Sequence, residues 1–155
     1  MKLNVGCGAD IRKGWINIDV RDGLAGVDVV ADALALGKHF DAGTVDVIAA
    51  QDILEHFDHA DGITFLKSCF ELLAPGGRLE IRCPDIDKVW GRKDVPDEVK
   101  VMFLYGGQDH AGNYHKWGYT QESLRRALTV AGFKDYYVWP RTSRDAVNML
   151  AEARK

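Results

Sequence analysis

The sequence has no apolar run approaching the roughly 18 residues of a bilayer-spanning helix, and no basic-then-apolar leader ahead of its first strand-like stretch. No membrane insertion is expected, and a cytoplasmic location is. Cysteine is scarce: Cys7, Cys69 and Cys83 are odd in number and widely spaced, which fits neither a disulfide framework nor a zinc site. They read as reduced, small, mostly buried residues. Neither sign of charge dominates, with 20 Lys and Arg against 23 Asp and Glu and a net charge of −3, so nothing indicates a nucleic-acid partner. Internal repeats and low-complexity tracts are also lacking. What remains is 155 residues with 46% hydrophobic content, read as one domain over 1–155, large enough to bury about two thirds of its unfolded surface.

Strand-like runs recur at 3–5, 15–18, 27–30, 45–50, 78–83, 133–139 and 147–153, and the later ones alternate with helical patterns. That is an α/β signature. Ile63, Leu66, Phe70 and Leu73 share one helical face, and Ala74-Pro75-Gly76-Gly77 then stops the helix. Thr120 is a good N-cap, Leu124, Leu128 and Ala131 line one stripe, and Gly132 sits where a helix-ending glycine belongs. The first half is different. Only 6–14 and 20–26 connect the first three strands, too short for full helices, although nine extended residues reach about 30 Å and can carry the chain back along a strand of about 13 Å. Arg78, Glu80 and Arg82 put charge on one side of a strand that should be central.

The opening stretch MKLNVGCGADIRKGWINIDV places Gly6 and Gly8 after a short apolar strand and Asp19 eleven positions beyond Gly8. A dinucleotide fingerprint would add a third glycine opening a helix, with its ribose acid about 20 residues on. Neither is present, which argues against a nicotinamide-dependent dehydrogenase. A carboxylate ending the second strand beside a glycine turn is nevertheless placed to accept from both ribose hydroxyls of an adenosine ligand. Asp32 ends the third strand, where it can accept from an adenine amino group while the Ala33 N–H serves a ring nitrogen and Val20 packs on the base. Turn or N-cap duty is the plain alternative for either aspartate. Their recurrence at successive strand ends favours the ligand.

These residues resemble class I S-adenosylmethionine-dependent methyltransferases, in particular small methyltransferases associated with polysaccharide biosynthesis, over nearly the whole chain. L-N-V-G-C-G is similar to the family's first motif, G-W-I-N-I-D to its ribose-binding strand end, A-D-A to its adenine motif, D-V-I-A-A-Q-D-I-L-E-H-F to its fourth-strand motif and L-L-A-P-G-G-R-L-E-I to the start of its fifth strand. The resemblance implies a doubly wound Rossmann-like fold. Its seven-stranded sheet is mostly parallel with the last strand antiparallel; this chain departs from the family in that the short spacing leaves its first crossover helices reduced or absent. It implies S-adenosylmethionine as cofactor, with Gly6, Cys7 and Gly8 at the methionine end, Asp19 on ribose, Asp32 and Ala33 on adenine, and Gln51 on the methionine amino group. Methyl transfer to a small-molecule or glycan-linked oxygen or nitrogen is the implied activity. A non-catalytic cofactor-binding subunit is the alternative that the reduced scaffold suggests.

Methyl transfer chiefly requires alignment and exclusion of water, so few catalytic groups are expected. His56 and His115 are the candidate bases, although Leu54, Glu55 and His56 read more readily as the start of the next helix. His56 and His59 stand at i, i+3, but no further ligand has metal-site spacing, and no metal is expected. The segment 104–120 gathers His110, Tyr114, His115 and Trp117 among glycines, after the fifth strand, and is read as the acceptor site. Its aromatics could equally plug the space left by missing helices. Shortened crossovers should expose apolar sheet surface, so a homodimer or a partner subunit is expected.

Overall fold

The computed structural model describes residues 1–140 and 147–155. Its strands are β1 Lys2–Val5, β2 Ile16–Asp19, β3 Val29–Val30, β4 Val45–Gln51, β5 Leu73–Pro84, β6 Asp135–Pro140 and β7 Asn148–Arg154. They form one sheet in the order β3-β2-β1-β4-β5-β7-β6, in which β1 to β5 pair in parallel and β7 runs antiparallel to both its neighbours. The expected doubly wound, methyltransferase-like sheet is therefore present, with its early crossovers reduced to loops.

The helices are α1 His59–Leu72, α2 Ile86–Gly91, α3 Asp97–Tyr105 and α4 Gln121–Ala131. Asp58 caps α1 by accepting from the Asp61 N–H at 2.9 Å, and Thr120 with Ser123 closes a capping box on α4. Gly132 ends α4 in the left-handed region at φ 111°. Phe65, Leu66 and Cys69 of α1 join Leu124 and Leu128 of α4 in one buried cluster with Leu3, Val5, Ile48, Leu79, Ile81 and Met149 of the sheet. Each of the larger side chains gains about 1.5–3 kcal/mol from that burial.

The opposite sheet face is set by register. Lys2, Asn4 and Asn17 share it with Val47, Ala49 and Gln51, with Arg78, Glu80 and Arg82, and with Glu152 and Arg154. Arg78, Glu80, Arg82 and Glu152 remain half-buried, and Arg78 pairs with Glu80 at 2.8 Å. That face thus mixes charged side chains on β5 and β7 with the exposed Tyr137 of β6 and Val30 of β3. Two asparagines tie those crossovers down. The Asn4 amide donates to the Asp10 carbonyl at 2.6 Å, the Asn17 side-chain oxygen accepts from the Arg12 N–H at 2.9 Å, and Asp28 accepts from the Asn17 N–H at 2.7 Å.

Several boundaries differ from expectation. Pairing reduces the third strand to Val29–Val30, because Asp28 already turns back onto Asn17. Leu73 leaves the helix as its extended cap and pairs with Val45, so 74–77 form a bulge within β5. Gly77 is required there, since a Cβ would stand 2.9 Å from the carbonyls of both Ala74 and Val45. Helices α2 and α3 lie in a region without clear apolar periodicity, and α3 buries none of its residues.

Candidate functional site

A cleft of about 510 Å³ opens at the carboxyl edge of β1 to β4. Its wall includes every expected cofactor residue: Gly6, Cys7, Gly8, Asp19, Val20, Asp32, Ala33 and Gln51. Gly6 and Gly8 turn the chain at φ 65° and 52°. At Gly6 a Cβ would come within 2.5 Å of the Ile53 side chain, so glycine is needed for both dihedral and space. The Cys7 N–H donates to the Ile18 carbonyl at 3.0 Å, extending the β1–β2 pairing into the turn.

Asp19 explains the short spacing noted in the sequence. The Gly8 N–H donates to its Oδ2 at 2.8 Å, so the carboxylate at the end of β2 also braces the turn at the end of β1. Its Oδ1 accepts from the Arg21 N–H and from Arg21 Nε, both at 3.0 Å, and Arg21 Nη2 reaches Oδ2 at 3.3 Å. Burial pushes the Asp19 carboxyl up, but the hydrogen bonds from Arg21 and Gly8 outweigh it and hold the group below its usual range. All four lone-pair positions are engaged. A ribose diol at Asp19 must therefore displace the Arg21 guanidinium, a feature that sequence reading missed although Arg21 stands two residues away. Asp32 performs the N-cap duty considered for it and also stands on the cleft wall. Its Oδ1 accepts from the Leu34 N–H at 2.9 Å, capping the 3₁₀ helix Ala33–Lys38, while the residue lines the cleft. Val20 is 67% exposed at the rim, available to cover a planar ligand.

The other wall comes from the segment after β5, as expected, but through a different part of it. His110, Ala111, Gly112 and Asn113 line the cleft; Tyr114, His115 and Trp117 do not. Arg21 Nη1 approaches His110 Nε2 at 3.4 Å, and His110 Nδ1 approaches Asp109 at 2.9 Å, so this loop closes over the Asp19–Arg21 pair. The Trp117 ring lies 4.7 Å from that of His59. Tyr114 is 47% exposed, and its carbonyl accepts from His56. Tyr119 is fully buried, but in the main core against Gly62 of α1 rather than in space left by missing helices. Gly106 and Gly107 serve close packing rather than motion: a Cβ on them would meet the Asn113 carbonyl at 2.6 Å and the Asn113 side chain at 2.8 Å.

His56, from the 3₁₀ turn Leu54–His56, lines the cleft. Its Nδ1 lies 3.1 Å from the carbonyls of both Gly112 and Tyr114. Carbonyls only accept, so Nδ1 carries the proton and Nε2 the lone pair. Burial, and then the neighbouring His115, hold the His56 pKa below its ordinary value, leaving the ring neutral near pH 7. The His115 ring stands edge-on 4.9 Å away. The two expected histidines are thus brought together, with His56 at the cleft wall and His115 behind it. Asp52, at φ 53°, pairs with Arg82 Nε at 2.9 Å on the same wall.

A glycine turn braced by a strand-end acid, on a parallel sheet with a final antiparallel strand, defines the Rossmann-like methyltransferase class. The chain belongs to the methyltransferase-domain family, whose model matches residues 3–138. Among solved structures it is similar to a SAM-dependent methyltransferase from Archaeoglobus fulgidus, at 15% identity and TM-score 0.72 over 99% of this chain and 85% of that one. A SAM-dependent methyltransferase from Thermotoga maritima is 15% identical with TM-score 0.73, over 99% of this chain and 81% of that one. The plantazolicin methyltransferase BamL, solved with a desmethylPZN analogue and SAH, is 12% identical with TM-score 0.68, over 99% of this chain and 76% of that one. No curated protein matches the sequence. No helix among the described residues is long and apolar enough to cross a membrane.

Proposed function

We propose that the protein transfers the methyl group of S-adenosylmethionine to a hydroxyl or amine of a small-molecule or glycan-linked acceptor. The observation that carries this reading is the convergence of Gly6, Gly8, Asp19, Asp32, Ala33 and Gln51 on one cleft of adequate volume. Asp19 takes the ribose hydroxyls once Arg21 swings off it, Asp32 and Ala33 take the adenine edge, and Gln51 and the glycine turn take the methionine end. The sulfonium activates the methyl group when the cofactor is bound. The chain's own part is to hold the acceptor in line, exclude water with the loop at His110, and present the unprotonated Nε2 of His56. The BamL complex with SAH supports the cofactor assignment by fold analogy alone.

Resemblance to methyltransferases associated with polysaccharide biosynthesis supports a glycan acceptor, and three free, buried cysteines fit a reducing, cytoplasmic compartment. A homodimer or partner subunit would engage the bared sheet face through charge, given Arg78, Glu80, Glu152 and Arg154 along it. Calorimetric titration with S-adenosylhomocysteine, alongside NAD as competitor class, tests the proposal. Micromolar binding of the former alone is expected, and preference for NAD would replace this reading with a dehydrogenase. Methyl transfer from labelled cofactor into an acceptor extract separates an enzyme from a non-catalytic binding subunit.

A further inference from the structure

Glu55, His56 and His115 each offer one ligating atom, and the three atoms lie within 4.8 Å of one another. Sequence spacing does not group them; the contact between the turn after β4 and the loop after α3 does. The Lys116 and Trp117 N–H groups donate to the Glu55 carbonyl at 2.8 and 3.3 Å, and the His115 N–H donates to the Tyr105 carbonyl at 3.1 Å. The backbone therefore fixes the three side chains relative to each other.

Two further observations point to a ligand. Glu55 is 3% exposed, and its Oε2 is buried with no hydrogen-bond partner. An unsatisfied buried carboxylate oxygen is costly, and native structures rarely retain one without an ion, a proton or a water to meet it. Each histidine, moreover, is oriented by a backbone carbonyl: His115 Nδ1 donates to Phe103 at 2.8 Å, and His56 Nδ1 to Gly112 and Tyr114. Carbonyl partners on Nδ1 leave both Nε2 lone pairs available, and such outer partners are what metal-binding imidazoles usually have.

We propose that Glu55, His56 and His115 form a divalent transition-metal site whose open positions face the cleft and bind the hydroxyl oxygen of the methyl acceptor. Two imidazoles and one carboxylate suit Zn²⁺, Mn²⁺ or Fe²⁺ rather than Mg²⁺ or Ca²⁺, which favour all-oxygen shells. Three protein ligands leave positions for an exogenous oxygen. Because His56 is both a ligand and part of the cleft wall, the ion borders the space assigned to the reacting methyl group. The second half of the proposal rests on the methyl-transfer reading. A hydroxyl bound to the ion releases its proton to solvent more readily. Its oxygen forms the new bond to the methyl carbon as the C–S bond breaks, the electron pair passing to sulfur to leave a neutral thioether and a methyl ether. This favours an alcohol acceptor over an amine, and His56 and His115 then act through the ion rather than as direct bases.

The test uses the full chain stripped by chelator and titrated separately with Zn²⁺, Mn²⁺ and Mg²⁺ by calorimetry, with S-adenosylhomocysteine affinity measured on the same samples. One equivalent of Zn²⁺ or Mn²⁺ should bind, with little response to Mg²⁺. Glu55→Gln and His115→Gln should each weaken binding at least about tenfold, while His59→Ala leaves it unchanged; circular dichroism confirms that the variants fold. Co²⁺ added to the native protein should give visible absorption bands that Glu55→Gln alters. Absence of metal binding by the native chain, or binding indifferent to both ligand substitutions, overturns the site. Loss of S-adenosylhomocysteine binding with intact metal binding would instead remove the methyl-transfer reading and leave the ion site standing.

Discussion

The two ends of the cleft are built on different principles. At the proposed cofactor end, each group sits at or just beyond a strand terminus: Gly6 and Gly8 after β1, Asp19 on β2, Asp32 after β3 and Gln51 on β4. The parallel sheet alone brings these together, because its carboxyl edge aligns successive strand ends. At the proposed acceptor end, Glu55 and His115 meet His56 behind the cleft wall only because a loop folds back onto a turn 59 residues earlier, as the His56–Tyr114 and Lys116–Glu55 hydrogen bonds show. One end is a property of topology, the other of a particular loop conformation. Substitutions at the first should therefore abolish ligand binding, and substitutions at the second should spare it while impairing transfer.

The largest expected effect is at Asp19. Asp19→Ala removes the acceptor for two ribose hydroxyls, and hydrogen bonds to a charged group contribute about 1.5–3 kcal/mol each. S-adenosylhomocysteine affinity should fall about a thousandfold by calorimetry, and a fall of less than tenfold would show that the ribose lies elsewhere. Next is His115→Ala, for which turnover with labelled cofactor should drop about a hundredfold at nearly unchanged S-adenosylhomocysteine affinity. Equal losses in both would erase the division between the two ends. Arg21→Ala frees Asp19 from the ion pair that a ribose must displace, so affinity should tighten about fivefold, corresponding to about 1 kcal/mol for a pair whose arginine is 40% exposed. Weaker binding would place Arg21 on the ligand.

The smallest effect is on acid stability. The Asp19 carboxyl lies below its usual range when folded, so its stabilising contribution is present above the unfolded value of about 3.9 and lost as pH falls through the folded one. Asp19→Asn should flatten the acid limb of urea unfolding by less than about 1 kcal/mol. An unchanged acid limb would mean that Arg21 and Gly8 do not favour the ionised form.

This division also decides what could be read from the sequence. The places of Gly6, Asp19 and Asp32 were legible because strand ends in order need only a period and a stop signal, whereas Gln51 came from the family resemblance alone. The bared sheet face was legible too, since Arg78, Glu80 and Arg82 alternate with Leu79, Ile81 and Cys83. The Glu55–His56–His115 cluster was not, for no periodicity connects a 3₁₀ turn to a loop beyond α3. His59, at helical spacing from His56, was the natural partner to consider, yet His56 lies before the start of α1 and His59 turns to Trp117 instead. Arg21 escaped because its guanidinium folds back onto its own strand end, a choice of rotamer rather than of pattern. That face proves mixed: the charged side chains that made β5 look anomalous share it with the exposed Tyr137 and Val30.

The central claim is that this cleft holds S-adenosylmethionine with its ribose on Asp19, and amide spectra of ¹⁵N-labelled native protein titrated with S-adenosylhomocysteine test it most directly. The account predicts saturable shifts at Gly8, Asp19, Val20 and Ala33, with Ala127 of the buried α4 face unmoved. Saturating ligand that leaves Gly8 and Asp19 unshifted, or that shifts residues away from the carboxyl edge of the sheet, would contradict it.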